Sequence, residues 1–309
     1  MRVVVTTFCA AVLGAFLFQL PVSASDPLGP AFSSDPQLEQ GYRLLYQQQF
    51  PQAREIFQNW VDQNPTEPFG QVSLAATYLF QEFFLQNVLT SDYFLNDKRF
   101  LGGIQGTPDP GRVKGFEDSC AHARQLAFQR LKVQPRDPEG LYALTLCAGM
   151  QSDADSMLLK KHYDALKHLK EANANAEMLL HDHPDAFDAY VAPGIAYYVI
   201  GSLPSSARFV LWFGGIHGDK QLGMYEVQKT ADDGHYLKPF AKILLALSAR
   251  REKKNALALK NLKDLIDEFP GNRVYMTEYA KAMGWPIPAT LEAPTARQLD
   301  SGDPSTSPH

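Results

Sequence analysis

The chain has 309 residues, of which 45% are hydrophobic and 20% are charged, and its formal net charge at pH 7 is −5. This length can bury a large core in one or two domains, and the composition is that of a water-soluble globular protein. The acidic balance argues against a nucleic-acid binder, which would need a basic face.

The first 24 residues have the pattern of a secretory signal peptide. Arg2 is the only charge, residues 3–20 are apolar, and the small residues Val22, Ser23 and Ala24 follow Pro21. This pattern predicts cleavage after Ala24 and export to the periplasm or cell envelope. The alternative is an uncleaved membrane anchor, because the apolar run is long enough to span a bilayer. Residues 25–35 are then expected to form a short linker.

One phrase returns along the chain as "QNWVDQNPTEP", "QRLKVQPRDPEG", "MLLHDHPDAFD" and "LKDLIDEFPGN". Each is an amphipathic run, then Pro, then an acid, Asn or Gly. The first run has apolar residues at three- and four-residue steps, which indicates one buried helix face. The Pro ends the helix, and the acid or Asn can cap the next one. The apolar residues of the first run are Ala53, Ile56, Phe57, Trp60 and Val61, and the four prolines are Pro65, Pro135, Pro184 and Pro270.

The helix pairs joined by this phrase resemble the tetratricopeptide repeat, a 34-residue unit of two helices with small residues where they cross. The first unit matches at Gly41, Leu44, Ala53, Phe57 and Pro65, and the last at Leu245, Ala246, Ala258, Leu262 and Pro270. The resemblance implies an all-α, tetratricopeptide-like solenoid over residues 36–284, with about five helix pairs and a closing helix around Ala280. Residues 213–272 are also faintly similar to the eukaryotic inclusion-body-clearance branch of this superfamily.

The middle units are longer than the repeat by about 36, 15 and 17 residues, measured against its 34-residue period. Each excess falls between the first and second helix of a unit, around Asp97–Gly111, "SDADSMLLKK" and "PSSARFVLWFGGIHGDK". The insertions are therefore expected to project from one edge, which in repeat families is often the binding face.

Tyrosines on the first helices are the best candidates for partner contact, because the first helices line the groove of such a solenoid. Tyr combines a rigid apolar body with a hydrogen-bonding tip. Tyr142, Tyr198 and Tyr190 are the candidates for binding a protein or peptide, whereas Tyr78 and Tyr197 are assigned to packing between repeats. The apolar run at residues 209–216 adds Trp212 and Phe213, which either cap the core or touch a partner or membrane peripherally.

No pattern for an enzyme or a cofactor emerges, and none is expected. "HDHPDAFD" offers His181, His183, Asp185 and Asp188 as metal ligands, but it lies at a helix junction. There Asp185 is better explained as an N-cap and the histidines as solvated turn residues. "SDADS" has calcium-loop spacing but lacks the required Gly and the final Glu. We therefore expect no metal site.

Cys120 and Cys147 lie on neighbouring antiparallel helices joined at Pro135, 15 residues before it and 12 after it. At 1.5 Å per residue both lie about 20 Å from the turn, hence at similar height. An exported chain can join two such cysteines in a disulfide. The alternative is two buried free thiols.

The end of the chain, from Trp285 onward, is rich in Pro, Ser and Thr and is expected to be a disordered tail. The whole pattern favours a non-enzymatic scaffold or adaptor of the bacterial envelope that binds a protein or peptide. The alternatives are a membrane-associated assembly factor and an enzyme with its site in the insertions.

Overall fold

The computed structural model describes residues 28–206, 208–209 and 217–287. These residues form helices and loops without a β-strand, which confirms the all-α prediction. The helices are α1 (Pro36–Tyr46), α2 (Phe50–Gln63), α3 (Pro68–Leu85), α4 (Ser91–Phe94), α5 (Asp97–Gly102), α6 (Pro110–Val133), α7 (Pro138–Asp153), α8 (His162–Asp182), α9 (Val191–Ser202), α10 (Lys220–Asp233), α11 (Lys238–Arg251), α12 (Asn255–Glu268) and α13 (Arg273–Met283).

The long helices form five pairs, and each pair also packs on the next pair along the chain. The pairs are α1 with α2, α3 with α6, α7 with α8, α9 with α10, and α11 with α12. The connections between α1 and α2 and between α11 and α12 are three residues long, 47–49 and 252–254, and loops this short make packed helices antiparallel. The junctions between one pair and the next, and between α12 and α13, are four residues long before helical structure resumes: 64–67, 134–137, 183–186, 234–237 and 269–272.

Small residues stand where the helices of a pair cross, as predicted. A Cβ on Gly41 would lie 2.3 Å from the ring of Phe57, which is itself fully buried. A Cβ on Gly194 of α9 would lie 2.6 Å from the side chain of Val227 on α10. Contacts below 3 Å cannot be accommodated in a close-packed interior, so these positions let the helix backbones approach.

The buried face predicted for α2 is confirmed at four of its five positions. Ala53, Phe57, Trp60 and Val61 are buried, and Ile56 is only partly covered. The indole N–H of Trp60 donates to Asp35 at 2.9 Å, so the polar edge of this buried ring is satisfied.

Helix capping follows the prediction at two of the recurring phrases and departs from it at two others. Asp137 caps α7 and Asn272 caps α13 through backbone N–H groups of the first turn. Glu67 does not cap α3 and instead pairs with Arg130 at 3.0 Å. The N-cap role predicted for Asp185 is also wrong, because the helical turn that follows begins after Ala186 without a side-chain cap.

Asp188, three residues later, is the acid that organises a junction. Its two oxygens accept the backbone N–H groups of His235 at 2.7 Å and Tyr236 at 2.9 Å. Burial raises its pKa to about 6, and these hydrogen bonds oppose that rise. The loop before α11 is thereby fixed to the start of α9.

Part of the segment 28–35, expected as a linker, packs on the core, whereas Ser33 and Ser34 are exposed. Ala31 is fully buried and its N–H donates to Glu139 on α7 at 3.1 Å. The ring of Phe32 lies 4.7 Å from that of Tyr142. Ala31 and Phe32 are apolar, and a linker would have left them exposed to water. Their burial against α7 covers one side of that helix.

The signal peptide predicted at residues 1–24 lies outside the described residues, as do residues 288–309 of the predicted tail. Trp285, at the start of that tail, remains in contact with α13, where its ring lies 6.0 Å from that of Tyr279. Within the described residues, no helix combines the length and the apolar character needed to cross a membrane.

Candidate functional site: the inserted edge and the pocket beneath it

The space between the first helices, where a groove was expected, is filled by the protein's own aromatic side chains. Tyr42 of α1, Phe69 of α3 and Tyr142 of α7 pack on one another, with ring centroids 5.9 Å apart for the first two and 5.6 Å for the last two. Tyr142 is fully buried, so its predicted position in an open groove is wrong. The physical reason is that Phe32, from the segment before α1, covers it.

Tyr236, in the junction before α11, ties the two ends of the chain together. Its ring stacks on Tyr42 at 4.9 Å, and its hydroxyl donates to Ser33 O at 2.8 Å and accepts from Asp35 N at 3.1 Å. Its backbone carbonyl accepts the hydroxyl of Tyr46 at 2.8 Å. The first and last helix pairs therefore share one core instead of enclosing an open groove.

The first and second insertions lie together at one edge, and the other connections that follow the carboxyl ends of the first helices are grouped with them. We call this surface the inserted edge; it comprises residues 86–109, 154–161, 203–206, 208–209, 217–219 and 252–254. The first insertion meets the second through Ile104 N–H, which donates to Met157 O at 2.9 Å. It meets α11 through Arg250, which donates to the hydroxyl of Ser91, and Arg251, which donates to Phe94 O at 2.9 Å.

The first insertion is shorter than the sequence excess suggested, because longer helices take up part of it. α6 begins at Pro110, three residues before the start expected near Val113, and α3 continues to Leu85. The second insertion is a π-helical turn, Ala154–Leu158, which extends α7 directly.

Tyr198 lies beside the inserted edge. Its hydroxyl donates to Glu252 at 3.3 Å, and Glu252 also accepts from Lys220 at 2.8 Å. Burial and the neighbouring Glu252 raise the pKa of Tyr198 to about 12, so this hydroxyl keeps its proton. Among the predicted tyrosines, Tyr198 is therefore placed next to the inserted edge.

Tyr190 lies at the start of α9, at the opposite end from the inserted edge. Its hydroxyl donates to Pro184 O at 3.2 Å, and the ammonium group of Lys229 sits 4.1 Å from its ring centroid. Lys229 also lies 5.0 Å from the ring centroid of Tyr225, which is 60% exposed. Tyr190 is thus engaged in a cation–π contact within the chain.

Beneath the first insertion lies a pocket whose walls come from both ends of the chain. Its cavity volume is about 100 Å³, and its accessible wall is almost wholly apolar. Helices α1, α2, α3, α11, α12 and α13 and the segment between α3 and α5 contribute to it. Wall residues representative of these elements are Leu45, Phe80, Leu89, Ile243, Leu262 and Val274.

A compact group of charges closes one side of this pocket. Arg250 pairs with Glu278 at 3.1 Å, and Lys281 pairs with Glu278 at 3.0 Å and with Asp92 at 2.7 Å. Glu278 is buried, whereas Asp92 on α4 is exposed. These contacts fasten the first insertion to α11 and α13.

The acids and histidines considered for metal binding have other partners. His181 contacts Asp182 at 2.6 Å, and Asp188 binds the loop before α11. Asp155 of the "SDADS" run pairs with His168 on α8 at 2.9 Å. In the described part of the chain, no group of three or more His, Cys, Asp or Glu side chains is arranged to hold a metal ion.

Cys120 and Cys147 are free thiols in this structure, and both are fully buried. They lie on α6 and α7 at matching heights, as predicted, because the Cys147 thiol approaches Cys120 O at 3.9 Å. Hydrogen bonding to Cys147, and secondly burial, hold the pKa of Cys120 well above its usual value. The Cys120 thiol is therefore not an activated nucleophile.

Trp212 and Phe213 lie outside the described residues, so their role as a partner or membrane contact stays a prediction. The pocket and Tyr236 were missed from the sequence. A signal for Tyr236 existed in the phrase "DDGHY". There Gly234 stands in place of the usual Pro, and Tyr236 follows at the place where a helix-capping residue was expected. The pocket has no local signal, since its wall is assembled from seven separate helices.

Comparison with known proteins adds no family assignment. No protein-family model matches the chain, and neither a curated protein nor a solved structure shows a significant match to it.

Proposed function

We propose that this protein is an exported, non-enzymatic scaffold of tetratricopeptide-like architecture that docks another protein along its inserted edge. The observation that carries this proposal is the contact of the first insertion with the second insertion and with α11, through backbone and side-chain hydrogen bonds. Loops held on a rigid helical frame commonly carry function.

The tetratricopeptide-like part of the proposal rests on the helix pairs and on their junctions. Helix pairing is regular, the junctions have one length, and Gly41 and Ala258 stand at the crossing positions. A chain of such units buries its core between neighbours and leaves its edges for partners.

The choice of edge over groove rests on the aromatic cluster. Tyr42, Phe69, Tyr142 and Tyr236 fill the space between the first helices, so a peptide would have to displace buried rings to enter it. The inserted edge instead carries or adjoins apolar side chains in solvent, such as Leu95 at 37% exposure and Tyr163 at 83%.

Charge substitution on the two edges tests this proposal. Leu95→Asp combined with Tyr163→Asp should weaken partner retention from envelope extract by tenfold or more, because centrally buried apolar anchors dominate interface energy. Val133→Asp is the matched control, since Val133 is 88% exposed at the opposite edge, at the end of α6. Equal retention by the double variant and the wild type would refute docking at the inserted edge.

Export is tested separately by N-terminal sequencing of the native protein. The pattern ending at Ala24 predicts a mature chain that begins at Ser25. A chain that keeps Met1 in the membrane pellet would contradict it and support the uncleaved anchor.

A further inference from the structure

The pocket beneath the first insertion is larger than a packing defect. Close-packed interiors keep few voids bigger than a water molecule, which itself needs roughly 10–15 Å³ of such space. Here the cavity volume is about 100 Å³, several times that of one water site, and eighteen residues line it. A single buried side chain touches about 6–12 residues, so one side chain of a partner would leave much of this wall uncovered.

The polar groups of the wall already have partners within the protein. The Tyr46 hydroxyl donates to Tyr236 O at 2.8 Å. The Asn272 side chain donates to Tyr46 O at 2.8 Å and accepts from Val274 N at 2.9 Å. A ligand in this pocket is therefore offered apolar surface and has no need to supply hydrogen bonds.

The charges at the pocket also balance one another. Arg250 and Lys281 are two cations, and Glu278 and Asp92 are two anions, joined by the contacts of 2.7–3.1 Å described above. A charged ligand group inside the pocket would have to break one of these partly buried ion pairs. The displaced side chain would then be an unpaired charge in a low-dielectric environment, which is energetically costly. The occupant that fits is uncharged.

We propose that this pocket binds one uncharged hydrocarbon chain of a lipid-like small molecule, between α1, α3, α11 and α13. Apolar cavities in proteins stay dry and accept apolar guests. The proposal differs from partner docking in its occupant, although Leu89 and Phe94 of the first insertion contribute to the pocket wall.

The first test uses the wild-type protein and 1-alkanols of increasing length, which displace the uncharged fluorophore N-phenyl-1-naphthylamine. Each added methylene should tighten binding about fourfold, the factor that corresponds to burying one CH₂, until the pocket is full. Alkanoates of the same length, ionised at pH 8, should bind about tenfold more weakly because the rim charges are already paired. Affinities that do not depend on chain length would overturn the proposal.

The second test fills the pocket. Val274→Trp places an indole in the wall and should weaken binding of the longest alkanol by more than tenfold, whereas Val133→Trp at the opposite edge should leave it unchanged. Circular dichroism and the unfolding midpoint report whether each variant is folded. If Val274→Trp does not fold, the wild-type chain-length series alone decides, and if it folds and still binds normally, the pocket assignment is wrong.

Discussion

The hydroxyl of Tyr46, in the first helix, donates a hydrogen bond of 2.8 Å to the backbone carbonyl of Tyr236, 190 residues further along the chain. Both residues are buried, and Tyr236 also binds Ser33 and stacks on Tyr42. A long-range contact of this kind joins the first and last helix pairs. Residues of the first and last helix pairs therefore belong to one hydrophobic cluster, beside a second cluster formed by α9, α10, α11 and α12.

Removing the Tyr46 hydroxyl should therefore destabilise the protein. Tyr46→Phe leaves a buried carbonyl without its donor, which costs about 1–3 kcal/mol of unfolding free energy. Urea unfolding followed by circular dichroism measures it. Tyr163→Phe, at an 83% exposed site, is the control and should change stability by less than about 0.5 kcal/mol. If the two variants unfold alike, Tyr46 does not hold the ends together.

Adding a methyl group at two glycines should have opposite effects. Gly41→Ala would press a Cβ to within 2.3 Å of the buried Phe57 ring, and overpacking of this kind costs about 1–3 kcal/mol. Gly149→Ala, in α7, meets no atom within 4 Å and should stabilise by about 0.4–1 kcal/mol, because alanine loses less backbone entropy in a helix. Guanidinium unfolding of both variants checks the signs. A neutral Gly41→Ala would show that α1 and α2 are not closely packed there.

The Glu139 side chain should make stability depend on pH. Burial raises its pKa from 4.5 to about 7, although the Ala31 N–H opposes this. Below pH 4.5 the folded and unfolded chains are both protonated at this site. Between pH 4.5 and 7 the unfolded chain ionises while the buried Glu139 keeps its proton, which favours the unfolded chain. The stability present at low pH is therefore lost as pH rises through the folded pKa.

Glu139→Gln removes this titration and can keep the bond to Ala31. The stability of the variant relative to the wild type should rise by on the order of 3 kcal/mol between pH 4.5 and pH 8. The same pH-induced loss in both proteins would assign the effect to another group, such as Asp188, whose pKa is raised to about 6.

The two cysteines predict a redox-dependent stability of the exported protein. Cys120 and Cys147 are buried in contact on adjacent helices, and an oxidising compartment favours a bond between them. Closing the loop between them would stabilise by about 3–4 kcal/mol. Alkylation of unreduced, denatured protein followed by mass spectrometry should find both sulfurs unlabelled. Two labels would show that they remain free thiols.

Local features of the fold could be predicted from the sequence because they depend on neighbouring residues. The apolar steps of α2, the small residues at Gly41 and Ala258, and the caps Asp137 and Asn272 all follow from short-range periodicity and hydrogen bonding. The similar positions of Cys120 and Cys147 along the neighbouring helices α6 and α7 followed from the rise per residue of an α-helix.

What could not be predicted depends on residues far apart in sequence. Tyr142 was expected in a groove, but Phe32 covers it from a segment assigned as a linker. Asp188 fixes a loop 47 residues away, a role that no local pattern distinguishes from capping by Asp185. The pocket is likewise invisible in sequence, since Leu45 and Val274 belong to opposite ends of the chain.

The central claim is that a protein partner docks on the inserted edge. Site-specific photo-crosslinking in envelope preparations tests it most directly, with the photoreactive residue placed at Leu95 or Tyr163 on that edge, or at Val133 on the opposite edge. The account predicts one discrete crosslinked partner from positions 95 and 163 and none from 133. Crosslinks from position 133 alone, or no crosslink from any of the three positions, would contradict it.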